Sequence, residues 1–138
     1  MPYLLDTNVL SEFRKGRKCD PNVRKWSQLI QREQHYISVL SIGEIRKGIE
    51  ILRRRSPQQC PAFEDWLCKL LNMHANSILP ITERITERWG NLMAEHTLPV
   101  IDGFLAATAL EYSLTIATRT VDDFAGTGVK IVNPFASA

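Results

Sequence analysis

Short apolar runs along this chain alternate with longer stretches whose apolar residues recur at helical spacing. Tyr3-Leu4-Leu5 is the first run, and it stops at three polar residues, Asp6-Thr7-Asn8. Such a run is consistent with a strand covered on both faces. Val9, Leu10 and Phe13 follow at helical spacing, so a helix over residues 8–15 is expected. Asp20-Pro21 predicts a second helix, with an N-cap acid followed by proline at the first helical position. Val23, Trp26, Leu29 and Ile30 give it one apolar face.

Tyr36-Ile37-Ser38 predicts a strand, followed by a helix over residues 39–54 with Ile42, Ile45, Ile49 and Leu52 inward. Ser41-Ile42-Gly43-Glu44 matches the Ser-x-x-Glu capping box. Arg53-Arg54-Arg55 end the helix, where cations suit its dipole. A loop from Ser56 leads to Pro61, which opens a helix with Phe63, Leu67, Leu70 and Leu71 on one face. Ile78-Leu79 reads as a strand, and Thr82 as the cap of a helix carrying Ile85, Trp89, Leu92 and Met93. Asp102 to Leu110 is a helix of small residues, expected against the sheet. Leu114 to Thr118 is the clearest strand, Arg119 to Phe124 a polar turn, and Val129 to Val132 an edge strand. Strands and helices alternate throughout, which predicts a single α/β domain around a short, mostly parallel sheet.

Composition narrows the function classes. The chain has 138 residues, 44% of them hydrophobic and 23% charged, with a net charge of only +2. Basic character is local, in Arg14, Lys15, Arg17 and Lys18 and in Arg53, Arg54 and Arg55. The three cysteines show no Cys-x-x-Cys spacing, and the odd count fits a reducing compartment better than a disulfide framework. The histidines are not paired at zinc-ligand spacing. Neither a membrane span nor a signal peptide is recognisable, so a cytoplasmic protein is expected.

The chemistry lies in the acids at element ends. Asp6 and Asp123 follow strands, Asp102 starts a helix, and Glu44 sits early in another. In a parallel sheet the strand carboxyl ends share one edge, where α/β proteins place ligands. If their elements are neighbours, three or four carboxylates converge. Such a cluster is costly unless cations neutralise it, and two hard divalent ions both do so and serve phosphoryl displacement. Taken singly, Asp6 and Asp102 can be helix caps, Glu44 the far end of a capping box, and Asp122 and Asp123 solvated turn acids.

The ordered set of Leu5-Asp6-Thr7-Asn8, Ser41 to Gly48 around Glu44, Asp102-Gly103-Phe104-Leu105-Ala106-Ala107, and Ala117-Thr118-Arg119 leading to Asp123-Phe124 resembles PIN-domain ribonucleases of the VapC toxin type. The resemblance covers nearly the whole chain. It implies a three-layer α/β/α sandwich and Mg²⁺- or Mn²⁺-dependent endonucleolytic cleavage of RNA, leaving a 5′-phosphate. It also implies that Asp6 and Asp102 are core metal ligands, Glu44 the third acid and Asp123 the fourth. Asn8 and Thr118 would orient ligands or water. Arg14, Lys15, Arg53, Arg54 and Arg55 would contact RNA phosphates, and a homodimer held inactive by a small antitoxin is implied. Thr120 departs from the Asn or Asp of many relatives, which leaves Asp122 and Asp123 both candidates for the fourth acid. Two alternatives are a catalytically silent module that binds RNA or protein, and a phosphoacceptor signalling domain. The second would want adjacent acids after the first strand and a lysine where Arg119 stands.

Overall fold

The computed structural model describes residues 2–31 and 34–137. Five strands form one parallel sheet: β1 Tyr3–Leu5, β2 His35–Ser38, β3 Ile78–Leu79, β4 Thr115–Ala117 and β5 Lys130–Val132. Their order is β3-β2-β1-β4-β5, and every pairing is parallel. The sheet expected to be mostly parallel is therefore wholly so among the described residues.

The helices are α1 Thr7–Phe13, α2 Pro21–Gln28, α3 Val39–Arg55, α4 Cys60–Met73, α5 Glu83–Glu95 and α6 Val100–Tyr112. Two apolar clusters sandwich the sheet. One joins Leu5, Ile37 and Ala117 to Val9, Leu10, Ile45, Ile49, Leu67 and Leu70, from α1, α3 and α4. The other joins Leu4 and Ile116 to Leu92, Leu105, Ala106 and Ala109, from α5 and α6. Leu4 and Leu5 part to opposite clusters because strand side chains alternate. This is the expected three-layer α/β/α sandwich.

Four local expectations are corrected. The cap of α3 is Ser38, whose hydroxyl accepts from the Leu40 N–H at 3.1 Å. Ser41 is buried inside the helix, so Ser41 to Glu44 is no capping box. Helix α6 starts at Val100 after Pro99, two residues earlier than expected, and Asp102 keeps its expected place in the first turn, which sets aside the alternative of an N-cap. Leu29 lies just past the last residue of α2 and is 79% exposed, so it does not belong to that helix's inner face. Leu71 also points outward, while Cys60, Leu67 and Leu70 face the core.

Helix α6 packs closely on α5. A Cβ on Gly103 would stand 2.6 Å from the Met93 sulfur and 3.0 Å from the Trp89 ring nitrogen. Trp89 and Phe104 stack with ring centroids 4.6 Å apart. Small residues in α6 thus bring Asp102 down toward the sheet edge.

Candidate active site

Strand β1 is where the sheet order reverses. The chain runs from β1 to β2 and β3 on one side, then returns to lay β4 on the other. The crevice beyond the carboxyl ends at such a reversal is the usual ligand site of open parallel sheets. Asp6 and Thr118 stand side by side there, since Leu5 pairs with Ala117 and the Asp6 N–H bonds the Ala117 carbonyl at 3.0 Å.

Asp6 is buried and held from two sides. One carboxylate oxygen accepts from the Thr7 N–H at 2.7 Å, which caps α1. The other accepts from the Thr118 hydroxyl at 2.8 Å. The capping and ligand interpretations of Asp6 are therefore compatible. Asn8 braces the same corner, donating to Thr118 Oγ1 at 3.4 Å and accepting from the Arg119 N–H at 3.2 Å. Thr120 extends it, with its N–H and its hydroxyl each 3.1 Å from Thr118 Oγ1.

Glu44 arrives from the second turn of α3 and accepts the Thr7 hydroxyl at 2.7 Å. Asp123 sits in a 3-10 turn over Val121–Phe124, anchored by the fully buried Phe124 ring. Asp102 comes from the first turn of α6, close enough to Asp6, Asp123 and Glu44 for their charges to act on its carboxyl.

The electrostatics bind these acids into one cluster. Burial pushes the Asp6 carboxyl above its ordinary range; the Thr118 and Thr7 bonds oppose this, and Glu44 and Asp123 add to it. Asp102 is pushed up to about 6, first by burial and then by Asp6, Asp123 and Glu44. Asp122 is not among the acids that shift either group. Of the two adjacent acids, Asp123 is the one whose charge acts on both Asp6 and Asp102.

The donor set suits a hard divalent cation. All donors are carboxylate or hydroxyl oxygens, and the acids raise one another's affinity for protons, as like charges without a cation do. Among the described residues no three His, Cys, Asp or Glu side chains form a ready metal cage. An ion that keeps several of its waters needs only one or two direct carboxylates, so an open acid edge meets its demand.

The basic residues behave less uniformly than expected. Arg14 is exposed, its guanidinium 4.3 Å over the Phe63 ring. Arg54 and Arg55 are exposed at the end of α3. Lys15 pairs with the buried Glu12 at 3.0 Å. Arg53 and Arg46 bridge Glu50 and Glu64, tying α3 to α4. Sequence reasoning passed over Thr7 as one more capping type. Its hydroxyl is the direct link between the Asp6 turn and Glu44, and only the three-dimensional neighbourhood reveals it.

Fold and site together define a class, an α/β/α protein with an acid cluster at the reversal point of a parallel sheet. The chain belongs to the PIN domain family, whose model matches residues 3–127. It is 31% identical over 137 residues to the plasmid stability protein StbB of Pseudomonas syringae pv. tomato, covering 96% of this chain and 97% of that one. It is 30% identical over 139 residues to the toxin FitB of Neisseria gonorrhoeae, covering 96% and 97%. The VapC ribonuclease Y4jK of Sinorhizobium fredii is 30% identical over 144 residues, with 98% and 99% covered. Among solved structures, FitAcB from Neisseria gonorrhoeae superposes with a TM-score of 0.87 at 29% identity, covering 96% of this chain and 98% of that one. A toxin–antitoxin complex from Klebsiella pneumoniae gives 0.66 at 26% identity, covering 96% and 97%.

Proposed function

We propose that this protein is a Mg²⁺- or Mn²⁺-dependent endoribonuclease and the toxin of a toxin–antitoxin pair. The observation that carries this reading is the convergence of Asp6, Glu44, Asp102 and Asp123 on one edge of a PIN-family sheet. Support also comes from full-length relatives named as a toxin and a VapC ribonuclease. Asp6, Asp102 and Glu44 would hold the ion, with Asp123 as the fourth acid. Bound there, a divalent ion supplies an activated water and neutralises charge at the phosphate.

The rest is done by this chain's own groups. Thr118 and the Thr7 N–H fix the Asp6 carboxylate in one orientation. The Thr7 hydroxyl does the same for Glu44. Asp102 gives up its proton near neutral pH, so the cluster reaches full negative charge only above about 6. Arg14, Arg54 and Arg55 are the basic residues proposed to meet RNA phosphates, because Lys15 and Arg53 already have carboxylate partners.

A cognate antitoxin and a homodimer complete the proposal. For the homodimer, support comes from an apolar hollow of about 560 Å³ that includes Val39, Leu40, Ile51 and Ile101. Val39 and Ile51 are exposed at 42% and 45%, more than an isolated core-facing helix would leave uncovered.

Purified Asp6→Asn protein, incubated with single-stranded RNA and Mn²⁺, is expected to lose about a hundredfold or more of the cleavage rate. Its circular dichroism should match wild type, and wild-type products should carry 5′-phosphate ends. Cleavage by Asp6→Asn at the wild-type rate would overturn the assignment.

A further inference from the structure

Beside the acid cluster lies a recess of about 260 Å³ between α1, α3 and α4. It shares Thr7 and Glu44 with the cluster. Phe63 and Trp66 of α4, both half-buried, line its far side. Gly48 of α3 also lines it, and a Cβ there would meet nothing within 4 Å. That wall is therefore bare backbone beside open space. The exposed Arg14 guanidinium does not line the recess itself but lies 4.3 Å over the Phe63 ring.

We infer that this recess is a subsite for one unstacked nucleobase of single-stranded RNA, next to the scissile phosphate. The inference rests on the ribonuclease reading and adds the feature that would choose among RNA sequences. A phosphate brought to a buried carboxylate edge must leave the stacked geometry of a duplex, and its neighbouring base then needs a new apolar plane. Aromatic rings and guanidinium planes are the usual substitutes. Phe63 and Trp66 supply the rings, and Arg14 supplies both a plane and a positive charge for the adjoining phosphate. The competing occupant is an apolar side chain of a partner protein. A nucleotide brings a phosphate for the Arg14 guanidinium to meet, whereas an apolar side chain brings no charge. Continuity with Thr7 and Glu44 likewise suits a ligand whose next bond is the one to be cut.

The test uses a single-stranded RNA oligomer and a set of copies in which one abasic residue moves through the positions flanking the cut. Cleavage with Mn²⁺ gives kcat/KM, and anisotropy with the Asp102→Asn protein in EDTA gives binding alone. Wild type is expected to lose about tenfold at one flanking position, the usual worth of one base–aromatic stack. Gly48→Leu adds bulk where the recess meets the hollow proposed for the homodimer, so its oligomeric state is first matched to wild type, and Phe63→Leu removes the ring while keeping apolar bulk. Each should lose about tenfold on intact RNA and nothing further on the abasic copy. Gly90→Leu, a matched change in open space on α5, should behave as wild type. A structural defect would lower every substrate alike, abasic or intact, and that pattern overturns the subsite. Cleavage without any position-dependent abasic loss overturns the subsite and keeps the ribonuclease. Position-dependent binding without cleavage does the reverse. If Gly48→Leu and Phe63→Leu both cut intact RNA at the wild-type rate, the recess takes no base and the inference is wrong.

Discussion

Asp102 shows how a single side chain here trades folding stability for function. Its carboxyl holds a proton up to a pH of about 6, because burial and then Asp6 and Asp123 disfavour its charge. The folded form therefore binds that proton more tightly than the unfolded chain, whose carboxyl titrates near 3.8. The stabilisation is complete below pH 3.8 and is lost as pH rises through about 6. Asp102→Asn removes this loss. In EDTA at pH 7 the variant should be more stable than wild type by about 1 kcal/mol, after discounting for partial exposure. At pH 4 the two should be nearly equal. Urea unfolding at both pH values measures the difference, and the same variant should bind no Mn²⁺.

At the scale of elements, the close contact of α6 on α5 sets where that acid can stand. Gly103→Ala would drive a methyl group against the Met93 sulfur and the Trp89 ring. Met93 can turn aside, but the indole is stacked on Phe104 and has little room. The expected cost is about 1–2 kcal/mol, seen as a lower urea midpoint, with weaker metal affinity if α6 shifts.

Most elements were legible in the sequence. Strand β1 and the caps Asp20 and Thr82 were read correctly because each joins a capping side chain to a clean change of period. The misreadings have physical causes. Ser38 and Ser41 sit three residues apart, so the sequence offers two caps, and only the end of β2 decides for Ser38. Helix α6 begins without any side-chain cap, which hides Val100 and Ile101 in an apparent loop. The acids themselves were legible from their placement at element ends and from the family resemblance. What was hidden is how they are held: Thr7 to Glu44 and Thr118 to Asp6 span 37 and 112 residues, beyond any local pattern.

For the whole molecule, the acid edge gathers like charges that a bound cation would relieve. Metal binds only the folded state, so an ion at about 100 times its dissociation constant adds about 2.7 kcal/mol. A melting temperature higher by on the order of 8 °C is expected for wild type. Asp6→Asn and Asp102→Asn should show no such rise. Isothermal titration with Mn²⁺ should release protons near pH 6, since binding displaces the one held by Asp102. No heat at millimolar Mn²⁺ would favour a catalytically silent module.

The pairing of β1 with β4 also carries a lesson about synthesis. Asp6 is synthesised 112 residues before its hydrogen-bond partner Thr118, and well before the strand β4 that flanks it. A growing polypeptide therefore cannot assemble this acid edge until β4 and Thr118 have been made. A chain interrupted before residue 115 lacks β4, Thr118 and Asp123, and nothing then pins the Asp6 carboxylate from its second side.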